Sequence, residues 1–135
     1  MYKAVVQKHQ SGCGIACVAC VTNQSYEKVL SLTDKSYASS RGYYCKELIA
    51  LLSKFNLSYS YKKVTNKTKK YLIKEGTIVF IARSKTHPLG HYLVKTKKGW
   101  MNSWINYPII SPVKAGFNKR LPGKAQWFLY KTIKS

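Results

Sequence analysis

The stretch from Gln7 to Cys20, QKHQSGCGIACVAC, constrains this chain more than any other. A polar run with Gln7, Gln10 and Ser11 passes through Gly12-Cys13-Gly14 into Ile15, Ala16, Cys17, Val18, Ala19, Cys20 and Val21, so the apolar residues begin at a cysteine. That pattern predicts a helix from Cys13 to about Thr22, stopped by the polar Asn23-Gln24. A cysteine at a helix start lies near unpaired backbone N–H groups and the positive end of the helix dipole, which favour thiolate over thiol. Gly12 and Gly14 leave space beside the sulfur for a reacting carbonyl carbon. Gln7, six residues before Cys13, is near enough for its amide to donate to an oxyanion alongside the Cys13 N–H, with Gln10 as the competing donor.

The rest of the chain changes from helical to strand periodicity. Lys3 to Val6 reads as a short leading strand. Ser25 is a suitable N-cap for a second helix through Tyr26, Val29, Leu30 and Leu32, with Glu27 in its first turn. Thr33 to Gly42 reads as a loop. From Tyr43, residues Leu48, Ile49, Leu51, Leu52 and Phe55 recur at helical spacing until Asn56. Leu57, Tyr59 and Tyr61 then alternate with polar residues as in a half-buried strand. Asn66 to Glu75 is a short basic helix or a loop. Thr77 to Ala82, TIVFIA, is the near-continuous apolar run of a central strand. Arg83 to Gly90, with Pro88, is a connection. His91 to Thr96 and Trp100 to Trp104 form a hairpin around Lys97-Lys98-Gly99, placing His91 and Asn102 on adjacent strands, where cross-strand neighbours are about 5 Å apart at Cβ. Ile105 to Gly123 reads as irregular and Ala125 to Ile133 as a closing strand. Helices followed by antiparallel strands define an α+β fold.

At 135 residues the chain is sized for one domain, 1–135, with a real core. Its 24 Lys plus Arg against 4 Asp plus Glu give a net charge of +20, a field that attracts nucleic acid, an anionic membrane surface or an acidic peptide without choosing among them. Lysines at 62, 63, 67, 69 and 70 interleave with Tyr59, Tyr61 and Tyr71 as in single-strand binders. No apolar stretch is long enough to span a bilayer, and Met1 to Val6 lacks a signal-peptide core. A cytoplasmic protein with reduced thiols is the expectation. Cys13, Cys17 and Cys20 have the C-x3-C-x2-C spacing of radical S-adenosylmethionine enzymes, and with His9 or Cys45 could hold zinc. Such a cluster belongs on a loop in a far larger barrel, whereas Cys17 and Cys20 lie in an apolar helix. No metal or cofactor is therefore expected, and Cys17, Cys20 and Cys45 read as core.

Gln7 followed by Cys13-Gly14 and a small-apolar helix resembles the active-site opening of papain-like cysteine peptidases, above all the C39 peptidases. Gly90-His91-Tyr92-Leu93-Val94 is similar to that family's histidine strand, and Asn102-Ser103-Trp104 to the Asn-Ser-Trp of papain relatives. The resemblance spans nearly the whole chain in three short pieces. It implies a papain-like fold, N-terminal helices carrying the cysteine on an antiparallel sheet carrying the histidine and asparagine, and removal of leader peptides after a double glycine. C39 domains usually open peptide-exporting ABC transporters; no membrane or ATPase part accompanies this one, so a stand-alone enzyme is expected. Many C39 members have Asp before the cysteine, where this chain has Gly12, and an Asp to orient the histidine. Here the only acids are Glu27, Asp34, Glu47 and Glu75, all upstream of His91, so the orienting group in that chain order must be an amide or be absent.

The implied chemistry assigns Cys13 as nucleophile, His91 as the proton carrier in an ion pair, Asn102 as the amide that fixes the imidazole tautomer, and Gln7 as the oxyanion donor. Trp104 is implied to shield the His–Asn bond. His9 and His87 are rival bases, and Asn106 the rival amide. Two other functions use the same residues or surface: deamidation or acyl transfer on a protein glutamine, and a non-catalytic basic binding module.

Overall fold

No residue between Gly14 and Val21 is polar, so a helix made from them is stable only when it is surrounded. In the computed structural model, which describes residues 2–132, that helix, α1 (Cys13–Thr22), is buried along all of Gly14 to Val21. Asn23 ends it in the left-handed conformation, φ 58°, and donates its N–H to the Ala19 carbonyl.

Two further helices cover α1. α2 (Tyr26–Leu30) is capped by Ser25 Oγ, which accepts from the Lys28 N–H at 3.0 Å. It ends two residues before the expected Leu32, where Ser31 Oγ donates back to the Lys28 carbonyl. α3 (Cys45–Ser53) starts two residues later than its periodicity implies, since Glu47 Oε1 accepts the Tyr44 N–H at 2.8 Å and makes Tyr44 the cap. Within the expected loop 33–42 a 3₁₀ turn, Lys35–Ser39, forms because Asp34 Oδ1 accepts from both the N–H and the hydroxyl of Ser36.

Among the described residues, six strands form one antiparallel sheet: β1 (Tyr59–Lys63), β2 (Ile78–Ile81), β3 (His91–Thr96), β4 (Gly99–Asn102), β5 (Gly116–Asn118) and β6 (Ala125–Lys131), in the spatial order β1-β6-β2-β3-β4-β5. Both faces of the sheet's centre are covered. Ile78, Tyr92, Val94, Met101 and Leu129 face the helices, whereas Val79, Ile81, Leu93, Trp100 and Phe128 form a second cluster behind the sheet. Alternate residues of β2 thus enter opposite cores, which is why TIVFIA shows no polar alternation. The basic segment 66–75 contains a 3₁₀ helix, Lys69–Ile73, whose Tyr71 stacks on Phe128 and Tyr130.

Two further expectations change. Residues 2–8 form no strand; Gln7 N–H makes a single ladder-like bond, 3.2 Å to the Ser103 carbonyl. The 105–123 segment contains β5, a three-residue edge strand too short to show alternation. The expected closing strand, β6, sits between β1 and β2; its expected last residue, Ile133, lies outside the described residues.

Leu48 is fully buried in the core shared by α1 and α3. Leu48→Ala is expected to lower unfolding free energy by about 3 kcal/mol, read by urea denaturation.

Candidate active site

α1 places Cys13 in its first turn, with Gly12 as a cap that makes no side-chain hydrogen bond. The sulfur accepts from the Tyr92 N–H of β3 at 3.5 Å, and the N–H groups of Cys13 and Gly14 also point to it. Space before the cysteine is already filled. A Cβ at position 12 would come within 2.0 Å of Tyr26 Oη, a hydroxyl that His9 Nδ1 meets at 2.9 Å, so Tyr26 takes the room an aspartate would need.

His91 opens β3 and Asn102 closes β4. With Val94 opposite Met101, Asn102 falls opposite Leu93, so His91 and Asn102 are diagonal rather than direct neighbours. Their side chains still meet, His91 Nε2 to Asn102 Oδ1 at 2.8 Å. The Trp104 N–H donates to the same Oδ1 at 3.0 Å, which identifies that atom as the oxygen and makes Nε2 the donor. Nδ1 is therefore bare, a proton acceptor on a ring that shares a cleft with Cys13. Asn102 is held at its other end too: its Nδ2 donates to Asn118 Oδ1 of β5 at 2.8 Å.

Burial outweighs the helix dipole at the sulfur. Desolvation pushes the Cys13 thiol up to about 11 despite the three backbone N–H groups, although the residue as a whole keeps partial exposure. Burial likewise depresses the His91 imidazole to about 4, partly countered by Asn102. Both shifts come from burial and favour the uncharged forms, thiol and neutral imidazole, over the expected ion pair.

Gln7 is almost fully buried on the cleft wall, but its amide is engaged. Nε2 donates to the carbonyls of His9 at 2.9 Å and Gln10 at 3.1 Å, and Oε1 accepts from Ser103 Oγ at 2.7 Å. As an oxyanion donor it would exchange one of these loop bonds for substrate. Trp104 reaches Asn102 through its backbone; its ring packs edge-on to Tyr107 and its indole N–H donates to the Ile109 carbonyl. Asn106 turns its own loop, bonding the Pro112 carbonyl and the Lys114 N–H. His87 joins the cleft, stacked on His91 at 4.6 Å.

Cys17 and Cys20 are buried in the core, and all four cysteines are unpaired. Among the described residues no three His, Cys, Asp or Glu groups converge as metal ligands, and no helix is long and apolar enough to cross a membrane. The tyrosines interleaved with lysine are occupied by the protein: Tyr59 Oη donates to the Gly76 carbonyl, Tyr61 packs on Trp127, and Tyr71 on Phe128.

The cleft is small, about 90 Å³, and walled by Tyr43, Phe80, Tyr92 and Trp104. It shares Arg41, Tyr43, Phe80, Leu89 and Tyr92 with a wider groove that also carries Lys46 and Arg83. Arg41 is fixed there, bidentate on Glu47 at 2.9 and 2.8 Å and sandwiched by Tyr37 and Tyr44.

A cysteine at a helix start, packed on an antiparallel sheet that presents a histidine and an asparagine, is the arrangement of the papain-like cysteine peptidases. Residues 1–119 match the sequence profile of the peptidase C39 family, and the chain belongs to that family of cysteine peptidases. Its fold is similar to the crystal structure of the peptidase domain of Streptococcus ComA, a bi-functional ABC transporter involved in a quorum sensing pathway. The TM-score is 0.58 over 99% of this chain and 100% of that one, at 18% identity. No curated protein sequence matches the chain.

Sequence reasoning missed Asn118 and Ser103 as supports. Asn118 lay in the stretch read as irregular, and Ser103 could have been noticed only as the middle of Asn-Ser-Trp.

Alkylation of Cys13 by iodoacetamide tests the proton arrangement. Protonating His91 removes the acceptor, so the wild-type rate should hold through neutral pH and fall as pH approaches about 4. In His91→Ala the neutral-pH rate should drop and then climb about tenfold per pH unit towards about 11, read by intact mass.

Proposed function

We propose that Cys13, His91 and Asn102 act as one catalytic set that hydrolyses a peptide bond after small residues, of the Gly-Gly type, and that residues 1–135 serve as a single catalytic domain. The observation that carries this reading is the His91–Asn102 hydrogen bond, which leaves the bare imidazole nitrogen on a ring beside the cleft that holds the thiol. His91 Nδ1 takes the thiol proton as Cys13 Sγ bonds to the substrate carbonyl carbon, and the oxyanion forms near the Cys13 N–H and Gln7. The imidazolium gives its proton to the leaving amine. Water, deprotonated by the same nitrogen, then cleaves the thioester and frees the sulfur.

The cleft's narrowness and aromatic walls support small residues before the scissile bond. The adjoining groove, with Lys46 and Arg83, and the net charge of +20 support a substrate segment rich in acids. Such attraction is long-ranged and weakens with salt. Four unpaired cysteines support a reducing, cytoplasmic setting.

The test is incubation with a peptide library that varies the two residues before the cleavage point, followed by mass spectrometry. Wild type is expected to split peptides with Gly-Gly or Gly-Ala there and to spare Leu-Leu. Cys13→Ala should abolish cleavage and His91→Ala lower kcat by roughly 10²- to 10⁴-fold. Loss of a side-chain amide without chain scission would assign deamidation instead, and no Cys13-dependent product would overturn the reading.

Raising ionic strength should increase KM for substrates with acidic flanks and leave kcat unchanged. Neutral-flanked substrates should show no such shift.

A further inference from the structure

His87 stands apart from every other buried group. Among the described residues, the buried side-chain polar atoms without a hydrogen-bond partner are its two ring nitrogens, in a residue only 8% exposed. Leaving polar atoms buried and unpaired is costly, so a folded protein keeps such a group only where something else is gained.

The loop that holds this ring is fully tied down. The His87 N–H donates to Ser84 Oγ at 3.1 Å, and its carbonyl accepts from the Ser84 N–H at 3.0 Å and the Gly90 N–H at 2.9 Å. Gly90 adopts φ +78°, and a Cβ there would stand 2.1 Å from the Phe80 ring, so the loop is pressed onto β2. The ring stacks on His91 at 4.6 Å and 24° and lies 5.3 Å from Tyr107. It lines the cleft that contains Cys13. The backbone is held, whereas the ring is kept only by stacking and can turn its two unpartnered nitrogens towards the cleft.

Burial first, and the neighbouring His91 second, lower the imidazole to about 4, so the ring is neutral at ordinary pH. A neutral imidazole offers one N–H donor and one bare acceptor, which are the complements of a peptide carbonyl and a peptide N–H. We propose that His87 is a substrate-binding residue of this cleft, its imidazole hydrogen-bonding main-chain groups of the peptide being cleaved and so gaining on binding the partners it lacks in the free protein. This rests on the reading of Cys13 as the nucleophile.

The test compares two reagents on Cys13: acetyl-Gly-Gly-chloromethyl ketone, which carries peptide groups, and iodoacetamide, which carries none of a substrate's main chain beyond one amide. His87→Phe keeps an aromatic ring against His91 and Tyr107 but removes both nitrogens; His87→Ala removes the ring; His87→Gln restores a donor and an acceptor. In the Phe and Ala variants, KI for the peptidyl reagent should rise about five- to tenfold, with partial recovery in His87→Gln, while kinact and the iodoacetamide rate stay within about twofold of wild type. Thermal melting identifies folded variants, and His87→Phe should melt no lower than wild type because it deletes an unpaired polar group; should His87→Ala unfold, the Phe variant carries the comparison. An unchanged KI in a folded, reactive variant would overturn the proposal alone. A fall in the iodoacetamide rate that matches a fall in kinact would also overturn it, making His87 a positioning residue for His91. A wild-type Cys13 inert to both reagents would sink the peptidase reading and this proposal with it.

Discussion

The burial of α1 on every side is the constraint from which the remaining architecture follows. A helix with no polar face needs α2 and α3 on one side and the sheet on the other, and the sheet strand it meets is β3. That contact is also what brings the Tyr92 N–H to the Cys13 sulfur and places the start of β3 beside the start of α1. Core packing and the assembly of the site are thus one event. Cys13 lies at the end of the helix where the apolar run begins.

Enclosure has an electrostatic cost. A dipole and three N–H groups stabilise the thiolate, yet desolvation exceeds them, and the same burial discharges the imidazole. Both shifts favour the uncharged forms of the two groups. The surrounding polar contacts fix orientation: Asn102 is gripped by Trp104 and Asn118, and Gln7 by Ser103 and its own loop.

Much of this was legible in the residues. That Cys13 and His91 line one cleft and that Asn102 bonds His91 was readable from the chain order of the three motifs and from the lack of any acid after His91. The strand at 77–82 was readable because residues buried on both faces lose their alternation. What was not readable depends on distance through space. Asn118 acts across a three-residue edge strand with no pattern of its own. The direction of the Cys13 shift depends on how deeply neighbouring elements enclose the sulfur, which a helix-start argument does not contain. His87 reads as a loop residue before proline, and only the fold shows it packed against His91 and Tyr107 with both ring nitrogens unpartnered.

The position of β6 bears on how the molecule comes to exist. β1 and β2 do not pair with each other; each pairs with β6, so the middle of the sheet stays open until residues 125–131 arrive. During synthesis the helices and the β2–β3–β4 hairpins emerge first, with Val79 and Ile81 facing a second core that still lacks Phe128. Closing that gap joins segments far apart in sequence, a slow step by its topology. The nascent chain therefore carries the facing edges of β1 and β2 unpaired, and newly made protein is most exposed to wrong pairing in the interval before β6 slides between them.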